Sequence, residues 1–102
     1  MDNSTPNIKF CYLYRDAGNY KIYGEVIFAN TDNLPLSEIE SQIRAKLIDG
    51  EYFEPKKWGV PLLAFEDFDG ELDHDWMEFE KVEETNDLVS VEKPIKDWLT
   101  DL

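Results

Sequence analysis

Residues 8–14 read IKFCYLY, and this stretch decides the fold because a large apolar or aromatic side chain occupies every second position. Its four even-numbered residues are Ile, Phe, Tyr and Tyr, all large and apolar or aromatic. Alternation with a period of two, in branched and aromatic side chains, is typical of a strand with one buried face. We therefore predict a β-strand over Ile8–Tyr14 that begins a single domain of residues 8–102. Residues 1–7 are polar and are predicted to be a flexible N-terminus.

A second strand is expected to return beside the first. Residues 15–19 read RDAGN, and Gly18 and Asn19 both tolerate positive φ, as a hairpin loop requires. Residues 20–29 then resume a strand pattern that is apolar on both faces around Val26, Ile27 and Phe28. A strand with two apolar faces is typically central in its sheet. The sequence thus predicts a β-hairpin whose second strand is central.

A helix follows the hairpin. Residues 37–40 read SEIE, the pattern of a capping box in which serine and glutamate side chains bind the first free amides of a helix. Apolar residues then recur every four positions at Ile39, Ile43 and Leu47. Gly50 provides a residue that readily takes the left-handed conformation and would end the helix.

The second half of the chain repeats this order of elements. Residues 60–65 are predicted to be a third strand, which Pro61 either confines to a sheet edge or makes start later, and Trp76–Val82 a fourth. A short helix is expected after Pro94, where apolar residues recur at spacings of three, four and seven. The predicted class is α+β in ββα-ββα order, with a small, mainly antiparallel four-stranded sheet and two helices packed on one face.

Negative charge is concentrated in one part of the 102 residues. The chain has 23 acidic and 10 basic residues, a net charge of −13. Residues 66–92 hold twelve of the acids and one base, a net of −11, while the other 75 residues sum to −2. Such a protein lacks the basic surface that nucleic acids and anionic membranes require. Whatever the charge does is expected to depend on this one stretch.

The cysteine content and the N-terminus favour a cytoplasmic protein. Cys11 is the one cysteine of the chain, so no intramolecular disulfide can form, and its apolar neighbours predict a small buried side chain rather than a reactive thiol. The first residues do not have the pattern of a signal peptide. No apolar stretch approaches the roughly 20 residues needed to cross a bilayer.

Several short strings resemble a group of small acidic bacterial proteins without a known activity. The resemblance covers most of the chain from Phe10 onward and rests on YRD at 14–16, NYK at 19–21, LIDG at 47–50, DHDWMEFE at 73–80 and VEET at 82–85. It implies a bacterial or phage source and supplies no functional residues.

Carboxylates alternate through residues 67–78 as they do in a calcium-binding loop. Calcium prefers several converging carboxylate oxygens, and the template places them at positions one, three, five, seven, nine and twelve. The glycine expected at position six is replaced by Leu72, and the flanks read as strands rather than helices. A solvated acidic loop is the alternative. The candidate calcium ligands are Asp67, Asp69, Glu71, Asp73, Asp75 and Glu78.

An enzyme is not expected. His74, the single histidine, lies between two aspartates that favour its protonated form, which makes it a conceivable general base or pH switch. No nucleophile is placed beside it by any recognisable motif. We predict no catalytic residues and no cofactor, apart from calcium in the alternative interpretation.

The leading hypothesis is a non-enzymatic protein whose acidic stretch binds a basic surface of another protein. Inhibitors, immunity proteins and antitoxins are of this kind, and so are nucleic-acid mimics that occupy the basic groove of a nuclease or a phage-defence component. Aromatic residues near loops would anchor the partner. The alternatives are a calcium-binding or calcium-regulated module over residues 67–78, and an acidic stretch that only keeps the protein soluble. The candidate partner-binding residues are Glu78, Glu80, Glu83, Glu84, Tyr52, Trp58, Phe68 and Trp76.

Overall fold

The first two strands form the predicted antiparallel hairpin. The computed structural model of the protein describes residues 6–15, 18, 20–61 and 76–102. Strand β1 spans Asn7–Arg15, strand β2 spans Lys21–Phe28, and the two pair in continuous register along their length. Asn7 was expected in the flexible N-terminus but belongs to β1, where its side-chain amide donates a 2.8 Å hydrogen bond to the carbonyl of Asp87.

Helix α1 spans Leu36–Lys46 and begins earlier than the sequence predicted. Its N-cap is Pro35, whose carbonyl accepts hydrogen bonds from the backbone amides of Glu38 and Ile39 at 3.0 and 3.1 Å. The cap has no side-chain hydrogen bond, so the predicted capping box at residues 37–40 is wrong. Ser37 already lies inside the first turn, where it cannot act as the N-cap.

The helix also ends before Gly50. Its C-cap is Leu47, which is extended, and the chain turns at Asp49 and Gly50, with φ of +54° and +72°. Gly50 therefore has the predicted left-handed conformation but does not cap the helix. It closes a turn in which Ile48 and Tyr52 exchange backbone hydrogen bonds of 2.7 and 2.9 Å.

The third strand, β3, spans Tyr52–Phe53, in a segment for which no strand was predicted. The prediction of a strand at residues 60–65 is wrong for Val60 and Pro61, which belong to no strand, and residues 62–65 lie outside the described part of the chain. A short helix, α2, spans Pro55–Trp58 directly after β3. The proline at its first position suits a helix start, because the amide of the first helical residue makes no hydrogen bond within the helix and proline lacks that amide.

The last two elements lie close to their predicted positions. Strand β4 spans Met77–Thr85 and helix α3 spans Ile95–Asp101, with Pro94 as its N-cap. The protein is α+β, and its described elements follow the order ββαβαβα rather than ββα-ββα because β3 and α2 precede the last strand. The four strands are antiparallel and lie in the order β2-β1-β4-β3.

Strand β2 lies at an edge of this sheet, so its predicted central position is wrong. The apolar end that suggested a central strand is covered by another segment. The backbone amide of Ile27 donates to Oγ of Ser90 at 2.8 Å, and the amide of Ser90 donates to the carbonyl of Ile27 at 2.9 Å. A loop segment therefore protects the part of the edge strand that looks central.

The helices pack on the face of the sheet formed by the even-numbered residues of β1. Phe10 is fully buried there, with its ring centroid 5.0 Å from that of Trp98 in α3 and 6.1 Å from that of Trp58 in α2. Ile39 and Ile43 of α1 belong to the same buried cluster. This confirms that helices cover one face and that residues 8–14 supply its centre.

Candidate functional site

Glu78, a candidate for both partner and calcium binding, is paired within the protein. Nε and Nη2 of Arg15 donate hydrogen bonds of 2.7 and 3.2 Å to its two carboxylate oxygens. The hydrogen bond to Glu78 raises the pKa of Arg15. A bidentate pair of this kind is among the stronger polar contacts in proteins. The charge of Glu78 is thus largely neutralised at the surface.

A β-bulge in β4 interrupts the alternation of the candidate acidic side chains. Cys11 of β1 lies opposite Lys81, whereas Tyr12 lies opposite Phe79, so Glu80 is an extra residue without a partner on β1. A bulge bends its strand and shifts the side chains beyond it to the other face. Glu78 and Glu80 consequently do not have the regular spacing of alternate residues on one strand face.

The remaining two acids of β4 lie on different faces of the sheet. Glu83 is opposite Lys9, on the face away from the helices, and Glu84 is opposite the fully buried Ile8, on the helix side. Nζ of Lys9 is 3.8 Å from Glu83, and Nζ of Lys81 is 3.5 Å from it. Glu83 is therefore paired, whereas within the described part of the chain neither Glu80 nor Glu84 has an ion-pair partner.

Lys9 joins carboxylates from two other parts of the chain. Its Nζ lies 3.3 Å from Asp87 and 3.9 Å from Glu25 of β2. The hydrogen bond to Asp87 is the main cause that raises the pKa of Lys9. Hydrogen bonds from Thr85 and then Lys9 lower the pKa of Asp87. These contacts use part of the negative charge to hold the sheet and the following loop together.

The aromatic candidates separate into one core residue and one surface pair. Trp58 is 7% exposed, and its carbonyl accepts a 2.6 Å hydrogen bond from the indole of Trp98, so it is wrong as a surface anchor. Trp76 is 38% exposed, and its ring centroid lies 6.1 Å from that of the half-buried Tyr52. Pairing of β3 with β4 places this tyrosine opposite Glu78. The surface pair Tyr52/Trp76 thus stands at the end of the sheet where β4 begins.

Most of the predicted metal loop cannot be placed. Five of its six candidate ligands, together with Phe68 and His74, lie outside the described residues: Asp67, Asp69, Glu71, Asp73 and Asp75. The sixth, Glu78, is the partner of Arg15. Among residues 6–15, 18, 20–61 and 76–102, no group of three or more potential ligands is close enough to hold a metal ion.

Cys11 has the environment predicted for a structural side chain. It is buried in β1, and desolvation raises the pKa of its thiol above the usual value. A raised pKa reduces the thiolate fraction at neutral pH, and the thiolate is the reactive species. This arrangement favours packing over thiol chemistry.

A small cleft between α2 and α3 was not foreseen from the sequence. Its volume is about 190 Å³, and its apolar wall includes Trp58 and Trp98. Three lysines lie in its lining: Lys57 pairs with Glu54 at 3.1 Å, Lys93 pairs with Asp101 at 2.5 Å, and Lys56 has no ion pair among the described residues. Carboxylates therefore already balance two of the three lysine charges.

No protein-family model, curated protein or solved structure matches the chain. In the described part of the chain, no helix combines the length and apolar character needed to cross a membrane.

Proposed function

We propose that the chain is a non-enzymatic binding protein that engages a basic surface of another protein. Its class would be that of an inhibitor, immunity protein or antitoxin, and a nucleic-acid mimic directed at a nuclease or phage-defence component belongs to the same class. The function would be exercised in the cytoplasm, a location suggested by the single cysteine.

One observation carries the proposal: a partly exposed aromatic pair borders the most acidic part of the sequence. Trp76, whose ring is tilted by 38° against that of Tyr52, directly follows residues 66–75, which contain six acids and neither lysine nor arginine. Protein interfaces commonly place aromatic anchors at their centre and complementary charge around them. This neighbourhood combines both features, whereas Glu78 and Glu83 are engaged by Arg15, Lys9 and Lys81.

The proposed surface is therefore smaller than the set of candidate partner-binding residues. It consists of Tyr52 and Trp76 together with Glu80, which has no ion-pair partner among the described residues, and residues 66–75 directly precede Trp76 in the sequence. Glu84 is not part of it, because Glu84 lies on the helix side at the far end of β4. The long-range field of the acids in residues 66–75 would accelerate encounter with a basic partner. The aromatic pair would supply the apolar contact that slows dissociation.

A calcium-binding module over residues 67–78 is the second proposal and draws on the sequence spacing alone. Its last ligand, Glu78, already accepts two hydrogen bonds from Arg15. That contact favours protein binding over calcium binding. Calcium titration monitored by the fluorescence of Trp76 separates the two, because a specific loop saturates at or below millimolar calcium.

Two matched variants test the leading proposal. Glu80→Gln removes the acid of the proposed surface, and Glu38→Gln removes the same charge from the exposed first turn of α1. The probe is an arginine-rich peptide, titrated against each purified protein at about 0.15 M salt, where charges are screened beyond about 8 Å.

The expected result is weaker peptide binding in the first variant and wild-type binding in the second. A Trp76→Ala variant should weaken binding further, with a faster dissociation rate. Equal weakening in both charge variants would mean that only net charge matters, which would contradict a localised binding surface.

A further inference from the structure

Along five residues of β2, the outward-pointing backbone groups have no backbone hydrogen-bond partner among the described residues. Because Ile27 bonds to Ser90 on the side away from β1, its amide and carbonyl point outward. These directions alternate along a strand, and β2 pairs with β1 in register without a bulge. The amides and carbonyls of Lys21, Tyr23 and Glu25 therefore also point outward, and within the described residues no backbone group bonds to them.

This edge is complementary to itself. If two copies of β2 pair antiparallel with Tyr23 opposite Tyr23, then Lys21 of each copy lies opposite Glu25 of the other. The same register places Ile22 opposite Gly24, where the absence of a side chain leaves space. Opposite-charge and aromatic cross-strand pairs are both stabilising. All five positions of the segment thus meet a suitable partner.

The hydrogen-bond pattern permits the same register. In an antiparallel pair, a residue whose amide and carbonyl point toward the partner strand must lie opposite a residue whose amide and carbonyl point back. Residues 21, 23 and 25 of one copy face residues 25, 23 and 21 of the other, so three successive residue pairs exchange both of their hydrogen bonds. Any shift by one residue would place inward-bonded groups at the interface.

The side chains at this edge are accessible. Tyr23 is 59% exposed, and Lys21 and Glu25 are exposed on the same face of the strand. Among the described residues, the one ion-pair contact of Glu25 is with Lys9 at 3.9 Å, and the Glu25 side chain is 53% exposed. Strand β2 begins at Lys21, and in this register Lys21 of the second copy lies opposite Glu25 of the first. The second copy's strand therefore does not extend to Ile27, where the segment around Ser90 is bonded.

We propose that two copies of this chain associate through the edge of β2, with Tyr23 on the two-fold axis, to form a continuous eight-stranded antiparallel sheet. A single charge would only protect an edge strand from association. Here Lys21 and Glu25 lie symmetrically about Tyr23 with opposite signs, so they attract in the self-paired arrangement. The partner is a second copy because the charges of Lys21 and Glu25 are complementary to those of the same strand running in the opposite direction.

This interface is independent of the proposed function. Tyr52 lies on β3, at the opposite edge of the sheet, so a dimer leaves the aromatic pair accessible on each copy. The two proposals can therefore fail separately.

Sedimentation velocity of the full chain across a range of concentrations tests the association. We expect a reversible monomer–dimer equilibrium. Lys21→Glu should weaken it roughly ten- to hundredfold because two attractive pairs become repulsive, and Glu25→Lys should do the same. The double variant Lys21→Glu/Glu25→Lys should restore dimerisation, because it exchanges the two charges without changing the register.

Cross-linking tests the register directly. In a Cys11→Ser background, Tyr23→Cys should form a disulfide-linked dimer, since facing residues of a hydrogen-bonded pair have Cα atoms about 5.5 Å apart. The control Lys21→Cys should not, because its two copies would be about 14 Å apart along the strands. A monomer at every concentration would overturn the proposal. So would a dimer that the charge exchange fails to restore, or equal cross-linking at positions 21 and 23.

Discussion

Arg15, the last residue of β1, holds Glu78 of β4 in a bidentate ion pair. The two residues are 63 positions apart in the chain, and strand pairing places Glu78 opposite Leu13. The contact therefore joins the two central strands of the sheet at one end. It also removes from the protein surface one of the acids that the sequence suggested for partner binding.

We expect Arg15→Met to destabilise the fold through the loss of this pair. A double-mutant cycle with Glu78→Gln should give a favourable coupling free energy, which solvent screening keeps small because the bidentate pair is partly exposed. Urea denaturation at low and high salt measures it, and the coupling should decrease as salt increases. A coupling near zero at low salt would contradict the bidentate geometry.

Replacement of Trp58 should cost far more stability than replacement of Trp76. Trp58→Ala removes a buried ring that packs 4.6 Å from Phe53 between ring centroids, and we expect a loss of about 3–5 kcal/mol. Trp76→Ala removes a partly exposed ring and should cost about 1 kcal/mol or less. Thermal and urea unfolding provide the comparison. Similar losses for the two variants would mean that Trp58 is not a core residue.

Asn30 should be essential to the loop that leads into α1. Its side chain is 3% exposed and makes two hydrogen bonds with the backbone of Leu34, donating to the carbonyl at 3.0 Å and accepting from the amide at 2.9 Å. Asn30→Ala leaves both groups unpaired, and we expect a loss of about 2–3 kcal/mol.

The matched control in this loop is Asn33→Gly. Asn33 has φ of +52°, a conformation that glycine adopts freely, so this variant should stay close to wild-type stability. If both variants proved equally stable in urea, the buried amide would not have the role assigned to it.

The buried phenol of Tyr12 should make the folded protein lose stability at alkaline pH. Burial raises the pKa of its phenol to about 12, and the hydroxyl donates a 2.8 Å hydrogen bond to the carbonyl of Pro61. An unfolded chain would ionise this tyrosine near pH 10. Because the folded pKa is the higher one, its contribution to stability is complete below pH 10 and is lost as the pH rises to about 12.

Tyr12→Phe should therefore lessen the loss of stability between pH 10 and 12. At pH 7 it should cost about 1 kcal/mol through the missing hydrogen bond. Tyr20→Phe serves as the control, since that side chain is exposed and lies outside the segment of residues 21–25. Urea denaturation at several pH values measures both variants. The same alkaline slope in wild type and Tyr12→Phe would refute the assignment to Tyr12.

The sequence by itself determined the elements whose signal is local. Alternation in residues 8–14, loop residues before β2 and the apolar spacing of α1 and α3 each depend on neighbours in the chain, and these elements formed close to their predicted positions. Burial of Cys11 followed from the same reasoning. Local periodicity is a reliable guide because it reflects which side chains an element must hide from water.

Tertiary structure alone decided which acidic side chains are paired and which strands lie at the edges of the sheet. The bulge at Glu80 depends on register against β1, and the pairing of Glu78 depends on a residue 63 positions away. The short β3 exists because β4 pairs with it, and β2 lies at an edge because β4 takes the other side of β1. Net charge can be counted along a chain, but its neutralisation depends on distances between strands that sequence neighbours do not set.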